Sequence, residues 1–206
     1  MFRKFGVEIE CYVSNVDALI NILTQYQIPV IYVSPKYKHK VYSCVKLIKD
    51  RSLSSHPFLE PIEINLPPSN NFILLEQVCS VLKLINAQCI NNCALHIHID
   101  LSDYAWEDCL PIMQYYEDNE NWIIQQIIEI QNKTPKLTTS LKGCKWQLQI
   151  MNTRQAHMNL NQPYQNYKTV EHRAFMGTTN YDEIVKCIQL TQDIVEKGLQ
   201  YKKGRN

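Results

Sequence analysis

The stretch Leu95-His96-Ile97-His98-Ile99-Asp100 alternates apolar and polar residues without a break. Residues i and i+2 share one face of a strand, so Leu95, Ile97 and Ile99 turn to a core while His96, His98 and Asp100 turn away. Three further stretches follow the same rule. In Phe5-Gly6-Val7-Glu8-Ile9-Glu10-Cys11-Tyr12, Val7 and Ile9 oppose Glu8 and Glu10. Within residues 58–66, ended by Pro67-Pro68, Ile62 and Ile64 oppose Glu63 and Asn65. Within residues 169–175, Val170 opposes Glu171 and Arg173, and His172 stands where an apolar residue is expected.

Between these strands the period changes to that of a helix. Asn15 or Asp17 starts a helix through about Tyr26, with Ala18, Leu19, Ile22 and Leu23 on one stripe. Residues 71–87 offer Leu74, Leu75, Val78, Val81, Leu82 and Ile85 for burial. Residues 106–131 read as one helix rich in Ile, Trp and Tyr, and Tyr181–Leu199 reads as an amphipathic helix. Short strands are expected at Val30–Val33 and at residues 41–48, with a basic turn between them. Residues 133–145, with Thr, Ser, Pro and Gly, read as a loop, and residues 201–206 as a frayed tail. Strands and helices mix without strict alternation, which favours an α+β fold over a doubly wound parallel sheet.

The 206 residues suit a single domain, taken as 1–206, and 45% hydrophobic composition is enough for a core. Twenty-one Lys and Arg against 20 Asp and Glu leave a net charge of +1, which argues against a protein built to coat nucleic acid. Only 5 glycines are present, so there is little material for a glycine-rich nucleotide loop. No run of about 18 apolar residues exists, so no membrane-spanning helix is expected. MFRKFGVEIE carries acids where a signal peptide needs its apolar stretch, which points to a cytoplasmic protein with its 8 cysteines reduced.

The polar face of the four strands is chemically unusual. Solvated strands usually carry Lys, Thr, Ser and Gln among their polar residues, whereas these carry Glu8, Glu10, Glu63, His96, His98, Asp100, Glu171 and the single Arg173. If the strands share one sheet, neighbours lie about 5 Å apart. Two like charges about 4 Å apart repel by roughly 4 kcal/mol at an effective dielectric near 20. One arginine does not neutralise such a face, so either some acids are protonated or divalent cations sit among them. Oxygen-dominated ligands with an occasional imidazole favour Mg²⁺ or Mn²⁺ over zinc. Cations beside an arginine point in turn to phosphoryl chemistry.

The order of these segments resembles the putative amidoligase family, within the glutamine synthetase-like carboxylate–amine ligase superfamily. The matching pieces are Phe5-Gly6-Val7-Glu8-Ile9-Glu10, Asp50-Arg51-Ser52-Leu53 and Glu63-Ile64-Asn65-Leu66-Pro67-Pro68. They continue through Asn92-Cys93-Ala94-Leu95-His96-Ile97-His98-Ile99-Asp100, Asn159-Leu160, Thr169-Val170-Glu171-His172-Arg173 and Gly177-Thr178-Thr179-Asn180. The resemblance implies a mainly antiparallel sheet forming a trough with helices on its outer side, and ATP with Mg²⁺ or Mn²⁺ inside. It implies a ligase that activates a small-molecule or peptide carboxylate as an acyl phosphate, which an amine then attacks to form an amide or isopeptide bond. By this analogy Glu8 and Glu10 each hold a metal ion, and Glu63 and Glu171 complete the coordination. His96 contacts metal or phosphate, His98 lines the same face, Arg173 braces the transferring phosphoryl group and Asp50 has a positioning role. Arg154 and His157, just before Asn159, are further candidates to line the nucleotide or substrate site.

The chain departs from the family pattern at Ala94, Leu66 and His172, where glycine, a small polar residue and an aromatic are usual. These departures motivate a second reading, a fold member that binds a nucleotide or protein without catalysis. A third is a metal-dependent phosphohydrolase or nuclease using the same acids. A zinc site from Cys89, Cys93, His96 and His98 is a weaker alternative, because His-x-His within a strand is unusual for metal fingers. The Ile-rich stretch 122–130 is core or the seam of a homo-oligomer.

Overall fold

The computed structural model describes residues 2–33, 40–90, 93–133 and 157–201. The elements run β1(Phe5–Val13), α1(Val16–Gln25), β2(Val30–Val33), β3(Val45–Lys49), β4(Glu60–Ser69), α2(Ile73–Leu84) and β5(Ala94–Asp100). They continue with α3(Trp106–Asp118), α4(Glu120–Gln131), β6(Met158–Asn159), α5(Asn161–Tyr167), β7(Thr169–Met176) and α6(Tyr181–Leu199). The strands make a seven-stranded sheet in the order β2-β3-β4-β1-β5-β7-β6. It is mostly antiparallel, as in the β3–β4 and β6–β7 pairs, whereas β2 runs parallel to β3. The mixed α+β class therefore holds. The chain divides into two compact units, Gly6–Leu95 with Met176–Val185, and Met1–Phe5 with His96–Phe175 and Lys186–Asn206.

In the unit built on Gly6–Leu95, the alternation of β1 and β4 buries Val7, Ile9, Ile62 and Ile64. Each such side chain removed from water contributes about 1.5–3 kcal/mol. Helix α1 begins where Asn15 Oδ1 accepts the Ala18 N–H at 2.8 Å, satisfying a donor that has no partner within the helix. Its buried stripe is Val16, Leu19 and Leu23. Ala18, expected on that stripe, is exposed. Strand β3 is shorter than expected and starts at Val45. Strand β4 runs through Pro67 and Pro68 instead of stopping before them. Its register with β3 covers only Ile62 to Asn65, so neither proline has to donate in that ladder. Gly177 lies against Cys93: a Cβ there would fall 2.6 Å from Cys93 Cβ, and the Gly177 N–H donates to Cys93 O at 2.9 Å.

In the other unit the expected helix over residues 106–131 is two helices that meet at Asn119. Asn119 leaves helical geometry (φ −114°, ψ 13°), and its Nδ2 donates to Tyr115 O at 2.9 Å, closing α3. Strand β6 and helix α5 had no counterpart in the sequence reading, and α5 ends at Lys168 in the left-handed region, φ 57°. Arg3 binds Glu196 and Asp103 at 2.6 and 2.7 Å and the Asp100 carbonyl at 3.2 Å.

This second unit also buries a polar set: Tyr116, Glu120, His157, His172 and Thr191 are each at most 2% exposed. Thr191 Oγ1 donates to Cys187 O at 2.8 Å and so uses its one proton. It must therefore accept from His172 Nδ1 at 3.1 Å, leaving His172 Nε2 to accept from Tyr116 OH at 3.3 Å. That pattern is the neutral imidazole, and burial pushes the His172 pKa down to about 3. His157 Nδ1 lies 3.4 Å from Glu120 Oε1, and burial lowers its pKa despite the carboxylate. His157, a candidate to line the site, is thus a core residue. No helix among the described residues is long and apolar enough to cross a membrane.

Candidate metal centre

Strand β7 carries the central group. Period two places Thr169, Glu171 and Arg173 on one face, and Glu171 is buried. Arg173 Nη1 binds Glu171 Oε1 at close range. The same oxygen has His96 Nδ1 at 3.6 Å and His98 Nε2 at 3.8 Å. Glu171 Oε2 accepts Asn159 Nδ2 at 3.2 Å. Strand β5 supplies both histidines from one face because Leu95, Ile97 and Ile99 occupy the other, each 0% exposed. The short pairing of β6 with β7 sets Asn159 opposite Glu171. Thr169 Oγ1 lies 3.2 Å from His98 Nδ1, which fixes the ring so that Nε2 faces the carboxylate. Metal-binding imidazoles are usually oriented in this way, through the ring nitrogen that does not face the ion.

On β1, Glu8 Oε1 accepts Asn65 Nδ2 at 3.1 Å. Glu10 is buried and spends Oε2 on the Ala94 N–H at 2.8 Å, so it anchors the first residue of β5. Glu63 is half-buried on β4 in register with Ile48. Asp50 Oδ1 accepts from Ser52 N and Ser52 Oγ at 2.8 and 2.7 Å, closing the turn after β3. His96, His98 and Glu171 stand together as candidate cation ligands in the unit that holds His96–Phe175, while Glu8, Glu10 and Glu63 belong to the unit built on Gly6–Leu95. Cys89 and Cys93 belong to the unit built on Gly6–Leu95, and His96 and His98 to the other. Arg154 lies outside the described residues.

Within that unit the donor chemistry is one carboxylate and two imidazoles beside a guanidinium. Such a set suits a divalent cation, and the guanidinium suits phosphate oxygens. Residues 2–137 match the family described as putative amidoligase enzyme. The chain belongs to that family. No curated protein matches it. The family match spans β1 to α4 and so includes Glu8, Glu10, Glu63, His96 and His98, whereas Asn159, Glu171 and Arg173 lie beyond it.

The three departures from the family pattern occupy packing positions. Ala94 and His172 are 0% exposed and Leu66 is 8% exposed. The sequence reading did not single out Thr169 or the donor role of Asn65. Both were within reach, since Thr169 lies two residues before Glu171 on the same face and Asn65 two residues after Glu63.

Proposed function

We propose that the protein is an ATP-dependent carboxylate–amine ligase that works with Mg²⁺ or Mn²⁺ in a glutamine synthetase-like trough. The observation that carries this reading is Glu171, a buried carboxylate shared by Arg173, His96, His98 and Asn159, in a chain of the putative amidoligase family. In the first step a carboxylate oxygen of the substrate attacks the γ-phosphorus of ATP, and ADP leaves with the electron pair of the broken P–O bond. In the second an amine attacks the acyl carbon, phosphate leaves, and the amine nitrogen gives up a proton, so that amide, ADP and phosphate are the products. The substrates would be a small-molecule or peptide carboxylate and an amine, in the cytoplasm.

The chain's own residues then have distinct tasks. His98 and Glu171 would hold the cation, which would draw charge from the phosphate oxygens. Arg173, tethered by Glu171, would present its guanidinium to the transferring phosphoryl group. Asn159 and Thr169 keep Glu171 and His98 in orientation through the bonds described above. Glu10 keeps β5 in place through the Ala94 N–H.

The test is to incubate the protein with ATP, Mg²⁺ and pooled amino acids or polyamines and to measure ADP and new amides together. The expected result is amine-dependent ADP release, lost in a Glu8→Ala/Glu10→Ala double variant and in Glu171→Gln. Equal ADP release by the wild type and these variants would refute it. Phosphate release that needs no amine would favour a phosphohydrolase instead.

A further inference from the structure

Asn159 carries an arrangement that packing alone does not require. It stands opposite Glu171 in the β6–β7 pair, and its Nδ2 donates to Glu171 Oε2 at 3.2 Å. Glu171 Oε1 accepts from the Arg173 guanidinium, and a carboxylate paired with a guanidinium accepts hydrogen bonds without donating any. The Asn159 amide nitrogen must therefore face the acid, and its carbonyl oxygen is turned away from it. That Oδ1 is buried and, among the described residues, has no hydrogen-bond partner, in a residue only 5% exposed. Asn159, Glu171 and Arg173 all belong to the same compact unit.

A buried acceptor without a donor is unfavourable, and native structures rarely keep one unless water or a ligand satisfies it. The reactants of a carboxylate–amine ligase differ in what they could supply here. The reacting carboxylate and the triphosphate present oxygens that accept. The adenine amino group and the ribose hydroxyls lie at the opposite end of ATP from the γ-phosphate that Arg173 would meet. The incoming amine remains. Its protonated nitrogen carries donors alone, and it must reach the acyl carbon next to the point of phosphoryl transfer. An amide carbonyl one hydrogen bond behind Glu171 and Arg173 is a suitable acceptor for it.

We propose that Asn159 seats the amine substrate: Nδ2 is used on Glu171, and Oδ1 accepts a hydrogen bond from an N–H of the incoming ammonium or amine group. The seat therefore takes ammonium and primary amines and rejects nitrogen fully substituted by carbon. This rests on the ligase reading given above, and the experiment separates the two.

The whole protein, isotope-labelled for nuclear magnetic resonance, is titrated with methylammonium chloride and in parallel with tetramethylammonium chloride, each with and without Mg²⁺ and a nonhydrolysable ATP analogue. The two cations carry the same charge, but only methylammonium has N–H groups. The readout is the Cγ and Nδ2 resonances of the Asn159 side chain, assigned through its own Cβ. Methylammonium is expected to shift them saturably, and tetramethylammonium to leave them in place. In the ADP-release assay, Asn159→Leu is expected to raise the KM for the amine about ten- to hundredfold, the range for a hydrogen bond to a charged group, and to raise the KM for the carboxylate less. No methylammonium shift, or the same shift from both cations, would overturn the inference. A methylammonium-specific shift in a protein without amine-dependent ADP release would uphold the seat and end the ligase reading. Amine-dependent ADP release with an unchanged amine KM in Asn159→Leu would overturn the seat and leave that reading standing. Should the leucine variant fail to fold, the wild-type titrations still decide.

Discussion

Acid should destabilise this protein well above the range in which carboxylates titrate, and His172 is the main reason. The imidazole is fully buried and neutral, donating to Thr191 and accepting from Tyr116, and its pKa falls to about 3 from an ordinary 6.5. In the unfolded chain the same group takes up a proton below about pH 6.5, while in the folded chain it does not until about pH 3. The unfolded state therefore binds more protons through that window, and stability falls as pH falls. One such group changes the unfolding free energy by about 1.4 kcal/mol per pH unit, so lowering the pH from 6.5 to 5 costs about 2 kcal/mol. His157, whose pKa is also lowered by burial, acts in the same direction and steepens the slope. The salt-bridged Asp103 has a lowered pKa too, but its contribution is lost only in more acid solution, below the ordinary carboxylate range. The assay is urea unfolding at half-unit pH intervals from 7.5 to 5, comparing the wild type with His172→Phe. Phenylalanine keeps a ring of similar size between Tyr116 and Phe175 but carries no titratable nitrogen. The variant should start less stable, because the Thr191 and Tyr116 hydrogen bonds are gone, and should lose about 1.4 kcal/mol per pH unit less than the wild type on the acid side. Parallel slopes, or a wild type whose stability is flat between pH 6.5 and 5, would refute the assignment of a neutral buried imidazole.

Two further tests address the fold. Gly177→Ala would place a methyl group 2.6 Å from Cys93 Cβ and 3.0 Å from its carbonyl carbon, so the variant should lose about 1–3 kcal/mol in denaturant unfolding; an unchanged midpoint would show that β7 and the segment before β5 have room to separate. Asn15→Ala removes the N-cap of α1 and should cost about 1 kcal/mol, whereas Asn15→Asp keeps an acceptor for the Ala18 N–H and should restore most of it.

How much of this was legible in the sequence depends on whether the signal was local. The faces of β1, β4 and β5 were legible because each follows from an alternation within a few residues, and the apolar side chains it names are buried, although Glu10 and His96 on the opposite faces are buried as well. His172 was recognisable as a misfit on an apolar face, but its Thr191 and Tyr116 partners lie on α6 and α3 and leave no local trace. The split between α3 and α4 was hidden because apolar residues continue on both sides of Asn119 with nearly the same spacing. Strand β6, two residues long, has no periodicity to read, although the motif match had already marked Asn159. Pro67 and Pro68 misled because proline forbids donation, not an extended backbone, and the end of β4 has no such donation to make in the β3 ladder. The polar face suggested which residue types would meet, but not which oxygen each donor would use. That is why the roles of Glu10 and Asp50 took their present form only from the hydrogen bonds.

Glu8, Glu10 and Glu171 are held by donors of different charge, and this difference separates structure from chemistry at these positions. Glu10 accepts a backbone N–H, Glu8 an amide N–H and Glu171 both an amide N–H and the Arg173 guanidinium. A neutral donor orients a carboxylate and satisfies a lone pair without cancelling its charge, so its attraction for a cation survives the bond. A guanidinium does both, and a cation binding at Glu171 must compete with Arg173 for Oε1 or take the carboxylate from another side. If Arg173 releases Oε1 when metal and nucleotide arrive, the guanidinium becomes available to phosphate at the moment its original partner is neutralised. Such an exchange would conserve charge pairing at each stage: Glu171 would pass from guanidinium to cation, and Arg173 from carboxylate to phosphate. Replacing Arg173 with lysine would keep the charge but lose the planar fork, so such a variant should retain Mn²⁺ binding while losing nucleotide affinity.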